Sequence, residues 1–376
     1  MAPSIRLGKL FGIEIGFNWS LIFVFALITW TLATGVLPQD VPGLGAMEYW
    51  VAAALGAVAF YACLLAHEMA HALVARRSGV KVAGITLWLF GGVSQLEGEP
   101  KSAGSEALIA GVGPLTSLAV GAIALGIAAA TAAYPLASDV LTWLAFVNAA
   151  LALFNLVPAF PLDGGRLLSS FFWWRSGSRR RGVHSAVRIG RLFAYLMIAI
   201  GALELFTGAV VDGIWIAFVG WFLLSAGSSE DAGSTVKALL SSVPVSAAMT
   251  APVVTVPDWL TVQQFVDSVV PQHSFSTYPV HEPSGKLTGV VRLSELVRVG
   301  SDRASKHLID CARPIAEVPT SRPSENLAAM IERLGAAIDR RVLVFDQEAL
   351  VGIISPVDVA RVLSVRQTIA GAAPSG

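Results

Sequence analysis

The sequence predicts an α-helical polytopic membrane protein, with about six transmembrane helices and a small membrane-associated β hairpin, followed by a soluble α/β module. Three observations predict it. The 376 residues are 55% hydrophobic and 14% charged, well away from the soluble average. Charges are sparse before about Arg166 and common after Ser228. Apolar stretches near the ~20 residues needed to cross hydrocarbon recur along the first part, whereas a strand-and-helix unit recurs after residue 240. A net charge of zero, with no acidic or basic tail, argues against a nucleic-acid partner. Cys63 lies in an apolar stretch and Cys311 in a distant polar one, which excludes a disulfide framework or a cysteine zinc knuckle. Any metal must be held by His and carboxylates.

Residues 1–16 alternate loosely and read as a short strand or interfacial segment. Arg6 and Lys9 before an apolar run resemble a signal peptide, yet the run is long and joins other spans, so it is read as an uncleaved first span over 17–37. The second span covers 49–75 and ends at Arg76 and Arg77. Residues 81–100 contain β-prone Ile85-Thr86-Leu87-Trp88-Leu89-Phe90 and the break Gly91-Gly92-Val93-Ser94, hence a hairpin dipping toward the membrane. Spans three and four cover 103–133 and 140–156. The fourth stops where Pro158 and Pro161 cannot continue a helix and Gly164-Gly165 favours a tight turn. After an arginine-rich loop (Arg175, Arg179, Arg180, Arg181) come spans five (189–206) and six (214–224, the shortest). Domain limits follow: a membrane domain over 1–228, a polar linker over 229–240, two repeats over 241–305 and 306–366, and a disordered tail over 367–376.

Loop charges orient the chain. With a cytoplasmic N-terminus, the inner loops hold Arg6, Lys9, Arg76, Arg77, Lys81, Lys101 and the arginines from 166 to 191. The outer loops (38–48, 134–139, 207–213) contain acids but no Lys or Arg. Six spans with both termini cytoplasmic fit the positive-inside rule. The repeat is visible in Gly289-Val-Val-Arg-Leu-Ser-Glu295 aligned with Gly352-Ile-Ile-Ser-Pro-Val-Asp358, each preceded by an apolar strand.

The second span carries His67-Glu68-Met69-Ala70-His71. Imidazoles four residues apart share a helical face and can grip one zinc ion, and Glu68 can take the proton of a water that the ion activates. Ionisable residues on a membrane helix are functional by default. At 1.5 Å per residue His67 lies about 14 Å from Arg76 and about 28 Å from Glu48, nearer the cytoplasmic face. Zinc needs a third ligand, and Asp163 is the candidate because broken backbone at membrane depth survives where it lines a watery cavity; the alternative is an ordinary Asp-Gly turn. Asn155 either caps its helix or bonds a neighbouring span, or it faces the zinc and holds a substrate carbonyl or the oxyanion. The same ligands would serve a membrane metal carrier, which has no evident need for Glu68 at that position.

The chain resembles a site-2 protease, the zinc intramembrane metalloprotease family, with tandem CBS domains at its C-terminus. His67-Glu68-xx-His71 is similar to the family's zinc helix, Asn155-xx-Pro158-xx-Pro161-Leu162-Asp163-Gly164-Gly165 to its second motif, and Gly91-Gly92 to its membrane-embedded hairpin. The resemblance implies one zinc ion per chain on His67, His71 and Asp163, Glu68 as the catalytic residue of a metalloendopeptidase, and substrate contacts from Asn155, Gly91, Gly92 and Val93. It further implies regulated intramembrane proteolysis of a single-span membrane protein within lipid. A CBS pair implies an adenine nucleotide on Ser355-xx-Asp358, or a homodimer. The first repeat departs from that pattern, with Arg292-Leu-Ser-Glu295 in its place.

Overall fold

The computed structural model describes residues 4–88, 91–273, 275–335 and 341–372. It forms two units, 1–234 and 235–376.

The first unit contains α1 (Ser20–Asp40), α2 (Ala46–Arg77), α3 (Ala103–Ala130), α4 (Pro135–Asn155), α5 (Asp163–Ser176), α6 (Arg179–Thr207) and α7, which begins at Val210 and runs to Leu240 in the second unit. All but α5 are long and apolar enough to cross a membrane. Helix α2 starts where the Glu48 carboxylate accepts from the Gly45 N–H at 2.7 Å, and ends with Arg76 and Arg77 beside its last carbonyls. Helix α4 starts with Pro135 at its first position, where proline's missing N–H has no helical partner to lose.

Four strands stand beside α2. β1 (Ile5–Leu10) and β2 (Ile13–Phe17) form one antiparallel hairpin, β3 (Lys81–Trp88) and β4 (Gly91–Glu97) another, and β2 pairs with β3 in parallel, giving the order β1-β2-β3-β4. The expected hairpin is therefore half of a sheet that the N-terminal segment completes; Leu89 and Phe90 lie outside the described residues. Ile13 and Ile15 of β2 and Ile85 and Leu87 of β3 alternate onto one face and bury against Leu64, Met69 and Ala72 of α2. That face fixes β4 relative to α2.

Two expectations between 166 and 240 are corrected. The arginine-rich stretch is helical: α5 ends at Gly177, whose φ of +67° suits glycine, and α6 begins two residues later. The sixth span is not short, because α7 continues through the residues expected as a linker. They contain no proline, and Asp231 meets His184 at 3.2 Å and Arg191 at 3.9 Å, so the α6–α7 pair extends as a polar helical hairpin. Within its apolar part, added Cβ atoms at Gly201 and Gly220 would overlap the facing backbone or side chains, so these glycines let α6 and α7 pack closely.

The second unit holds two sheets. One has the order β5-β6-β7-β8, from Val256–Pro257, Thr277–His281, Leu287–Arg292 and Arg313–Pro314; the other has the order β11-β10-β9, from Ala349–Ile354, Val342–Asp346 and Thr320–Ser321. Each repeats a short parallel strand, a helix (α8, Val262–Ser268; α9, Leu327–Leu334) and an antiparallel pair. The limit at 241 places residues 241–250 with the first repeat, yet Val243, Val245 and Ala248 pack with Leu327, Met330, Val342 and Ile354 of the second. Thr250 and Ile353 exchange backbone hydrogen bonds at 2.9 and 3.1 Å. The final helix, α10 (Pro356–Ala372), carries through residues 367–372, expected as disordered tail; it contains no proline after its first position. Residues 373–376 lie outside the described residues.

Candidate metal centre

Because α2 is unbroken, His67 and His71 meet edge to face one turn apart, with ring centroids 4.8 Å apart and planes at 73°. Both are buried. Their Nε2 atoms lie 3.1 Å apart, and Oδ2 of Asp163 stands 3.4 Å from that of His67 and 3.2 Å from that of His71. Among the described residues these three form the one group of His, Cys and carboxylate side chains arranged to hold a metal ion.

Asp163 reaches the histidines because α5 folds back onto the end of α4. A Cβ on Gly164 would overlap the Leu156 and Val157 carbonyls, and one on Gly165 would lie 2.6 Å from the Ala159 carbonyl carbon. The two glycines, expected to make a tight turn, instead form the first turn of α5. Their missing side chains admit the 156–160 backbone.

The outward nitrogens are tied to α3. His71 Nδ1 bonds the Ile109 carbonyl at 2.6 Å, and His67 Nδ1 bonds Oγ of Ser117 at 2.9 Å. Between them, a Cβ on Gly113 would overlap His71 Nε2 and lie 2.6 Å from His67 Nε2. The donor set fits zinc: two imidazole nitrogens and one carboxylate oxygen converge, each imidazole is held from behind, and the facing helix has no side chain at Gly113. Sequence reasoning missed Ser117, since a serine in an apolar helix reads as packing. The available signal was the spacing of 109, 113 and 117, which puts all three on one face of a helix opposite the metal motif.

Glu68 lies against β4. A Cβ on Gly92 would be 2.5 Å from Glu68 Cδ and 2.7 Å from Oε1, so the carboxylate rests on the strand's backbone. Gly91 has φ +125°, a conformation for glycine, and Val93 pairs with Thr86. β4 is the outer strand of its sheet. Asn155 is the last residue of α4, where its Nδ2 donates to the Leu151 carbonyl at 3.0 Å; this is the bond within its own helix, and not a contact with the cluster.

In the second unit, Asp358 is buried and fully engaged. Its Oδ2 accepts from Ser355 Oγ at 2.6 Å and Ser355 N–H at 2.9 Å, and its Oδ1 from Thr250 Oγ1 and Arg361 Nη2, both at 3.0 Å. At the matching place in the first repeat, Glu295 lies 3.5 Å from Arg313.

Two histidines and a glutamate on a helix fit to cross a membrane, met by an aspartate from the short helix α5, define the class of membrane-embedded zinc hydrolases. Comparison with known proteins agrees. The model of peptidase family M50 matches residues 55–140 and 125–199. The zinc metalloprotease Rip3 of Mycobacterium tuberculosis is 44% identical over 97% of this chain and 94% of its own length. The chain belongs to peptidase family M50 and is a multi-pass membrane zinc metalloprotease. Among solved structures, the site-2 protease from Methanocaldococcus jannaschii is 27% identical, covering 60% of this chain and 94% of that one, with TM-score 0.40. The CBS domain of a bacterial CNNM/CorC family Mg2+ transporter in complex with ATP is 18% identical, covering 35% and 93%, with TM-score 0.31.

Proposed function

We propose that this chain is an intramembrane endopeptidase that cuts a transmembrane helix of another, single-span membrane protein. His67, His71 and Asp163 would hold one zinc ion, and Glu68 would be the general base. The carrying observation is the meeting of the His67, His71 and Asp163 donor atoms next to a glutamate that rests on an edge strand. When bound, zinc supplies Lewis acidity to the scissile carbonyl and to the attacking water. Glu68 takes the water proton and passes it to the leaving nitrogen.

A substrate helix hides its carbonyls in its own hydrogen bonds, so a stretch must unwind. The outer edge of β4 offers backbone partners to that extended stretch through Gly91, Gly92 and Val93. Gly92 brings this edge against Glu68. Asn155 would serve the substrate carbonyl by exchanging its bond to Leu151 for one to the substrate.

Loop charges support cytoplasmic termini and a site nearer the cytoplasmic face, so cutting would release a cytoplasmic fragment, the outcome of regulated intramembrane proteolysis. The second unit, as a CBS pair, would regulate access by dimerising or by binding an adenine nucleotide; a nucleotide at Ser355 and Asp358 must displace one of the bonds made by Ser355, Thr250 or Arg361.

The test is Glu68→Gln in the purified chain, reconstituted in lipid with a single-span substrate. Zinc content is expected to stay at the wild-type level while cleavage is lost; retained cleavage contradicts the assignment.

A further inference from the structure

We infer that Ser117 is a positioning residue that sets the tautomer of His67, and that α3 therefore holds the two imidazoles unequally. The inference rests on the zinc reading above. For an imidazole to present a lone pair at Nε2, its proton must sit on Nδ1. The group behind His71 is the Ile109 carbonyl at 2.6 Å, which can only accept, so His71 is fixed as the Nδ1–H tautomer with Nε2 free to ligate. The group behind His67 is the Ser117 hydroxyl at 2.9 Å, which can accept or donate. When the hydroxyl accepts, His67 presents its Nε2 lone pair beside Asp163. When it donates, Nε2 carries the proton and ligation is blocked. One ligand is thus locked by backbone and the other is set by a rotatable side chain.

The surroundings leave few substitutes for that hydroxyl. Ser117 is 1% exposed and His67 3%, so no bulk water stands behind the ring. Ile109, Gly113 and Ser117 lie four residues apart on one helix face, with Gly113 placing backbone against both Nε2 atoms. Pro114 lies inside the same stretch without interrupting the helix. The face is shaped to the pair of rings, and its one adjustable element is the Ser117 O–H.

The test uses the full chain purified in detergent and loaded with zinc or cobalt(II), in wild-type, Ser117→Ala, Ser117→Cys, Ser117→Thr and Asp163→Ala forms. Zinc affinity is read by competition with a colorimetric chelator, and ligand geometry by the cobalt visible spectrum. Ser117→Ala and Ser117→Cys remove the good acceptor and are expected to weaken zinc about 10–100-fold and to shift the cobalt spectrum, as loss of a partner behind a ligand does. Ser117→Thr keeps the hydroxyl and is expected to remain near wild type. A packing role gives the opposite order, because cysteine nearly preserves the shape of serine and threonine adds a methyl group; that order overturns the proposal, as does an alanine variant within about twofold of wild type. Failure of the zinc reading shows separately, as a wild-type chain that holds no more zinc than Asp163→Ala, and this overturns both.

Discussion

The His67–His71–Asp163 cluster and the Ser355–Asp358 pair were both legible as motifs, yet their atoms are disposed in opposite ways. At the cluster, the binding atoms of three residues from two helices turn toward one another, and only the far nitrogens of the imidazoles are tied back. At Asp358 both oxygens are already occupied, by the Ser355 at the start of its own helix, by Thr250 and by Arg361. The first arrangement is held open by its neighbours, whereas the second is closed by them. A motif states which chemistry is present; the residues packed behind it decide whether that chemistry is available.

The largest expected effect comes from closing the open arrangement. Gly113→Ala places a methyl group over both Nε2 atoms, and zinc content and cleavage are each expected to fall by about 10²-fold or more, since misplacing a site by an ångström has that scale of cost. Metal analysis of the purified variant together with a cleavage rate checks it. Retention of both would mean that α3 yields, and that the cluster is not held open by its backbone.

The smaller effect comes from opening the closed arrangement. Asp358→Ala removes the acceptor that caps α10 and joins it to Thr250, and is expected to destabilise the second unit by about 1–2 kcal/mol, the usual cost of a lost helix cap. Thermal unfolding of the full chain measures it. If stability is unchanged while adenine-nucleotide binding disappears, Asp358 is a ligand group, and the contrast with the metal centre is reversed.

Much of the candidate metal centre could be read from the sequence because its signals are local. His67 and His71 share a face through helical periodicity alone, and Asp163 stood out as the carboxylate next to the backbone broken at Pro158 and Pro161. The six spans were legible from apolar length. What was missed depends on contacts between distant segments. Arg175 to Arg181 read as a loop because their charges masked the helices α5 and α6, and the polar residues 229–240 read as a linker because their partners, His184 and Arg191, lie some forty residues earlier. The spacing of Ser117 from Ile109 and Gly113 gained a meaning only once α3 was laid against α2. Gly164 and Gly165 were noticed for the wrong property: the fold uses their lack of a Cβ for close approach, not their freedom to turn. Residues 241–250 were given to the nearer repeat in sequence, while their side chains complete the core of the farther one.

In the proposed function His67, His71 and Asp163 together hold one zinc ion. X-ray absorption at the zinc edge of the purified chain tests it most directly. The expected result is one zinc per chain with nitrogen and oxygen neighbours at about 2.0–2.2 Å, outer-shell scattering from two imidazoles, and loss of this signal in Asp163→Ala. Sulfur at about 2.3 Å, a different number of imidazoles, or an unchanged spectrum in the variant would contradict it.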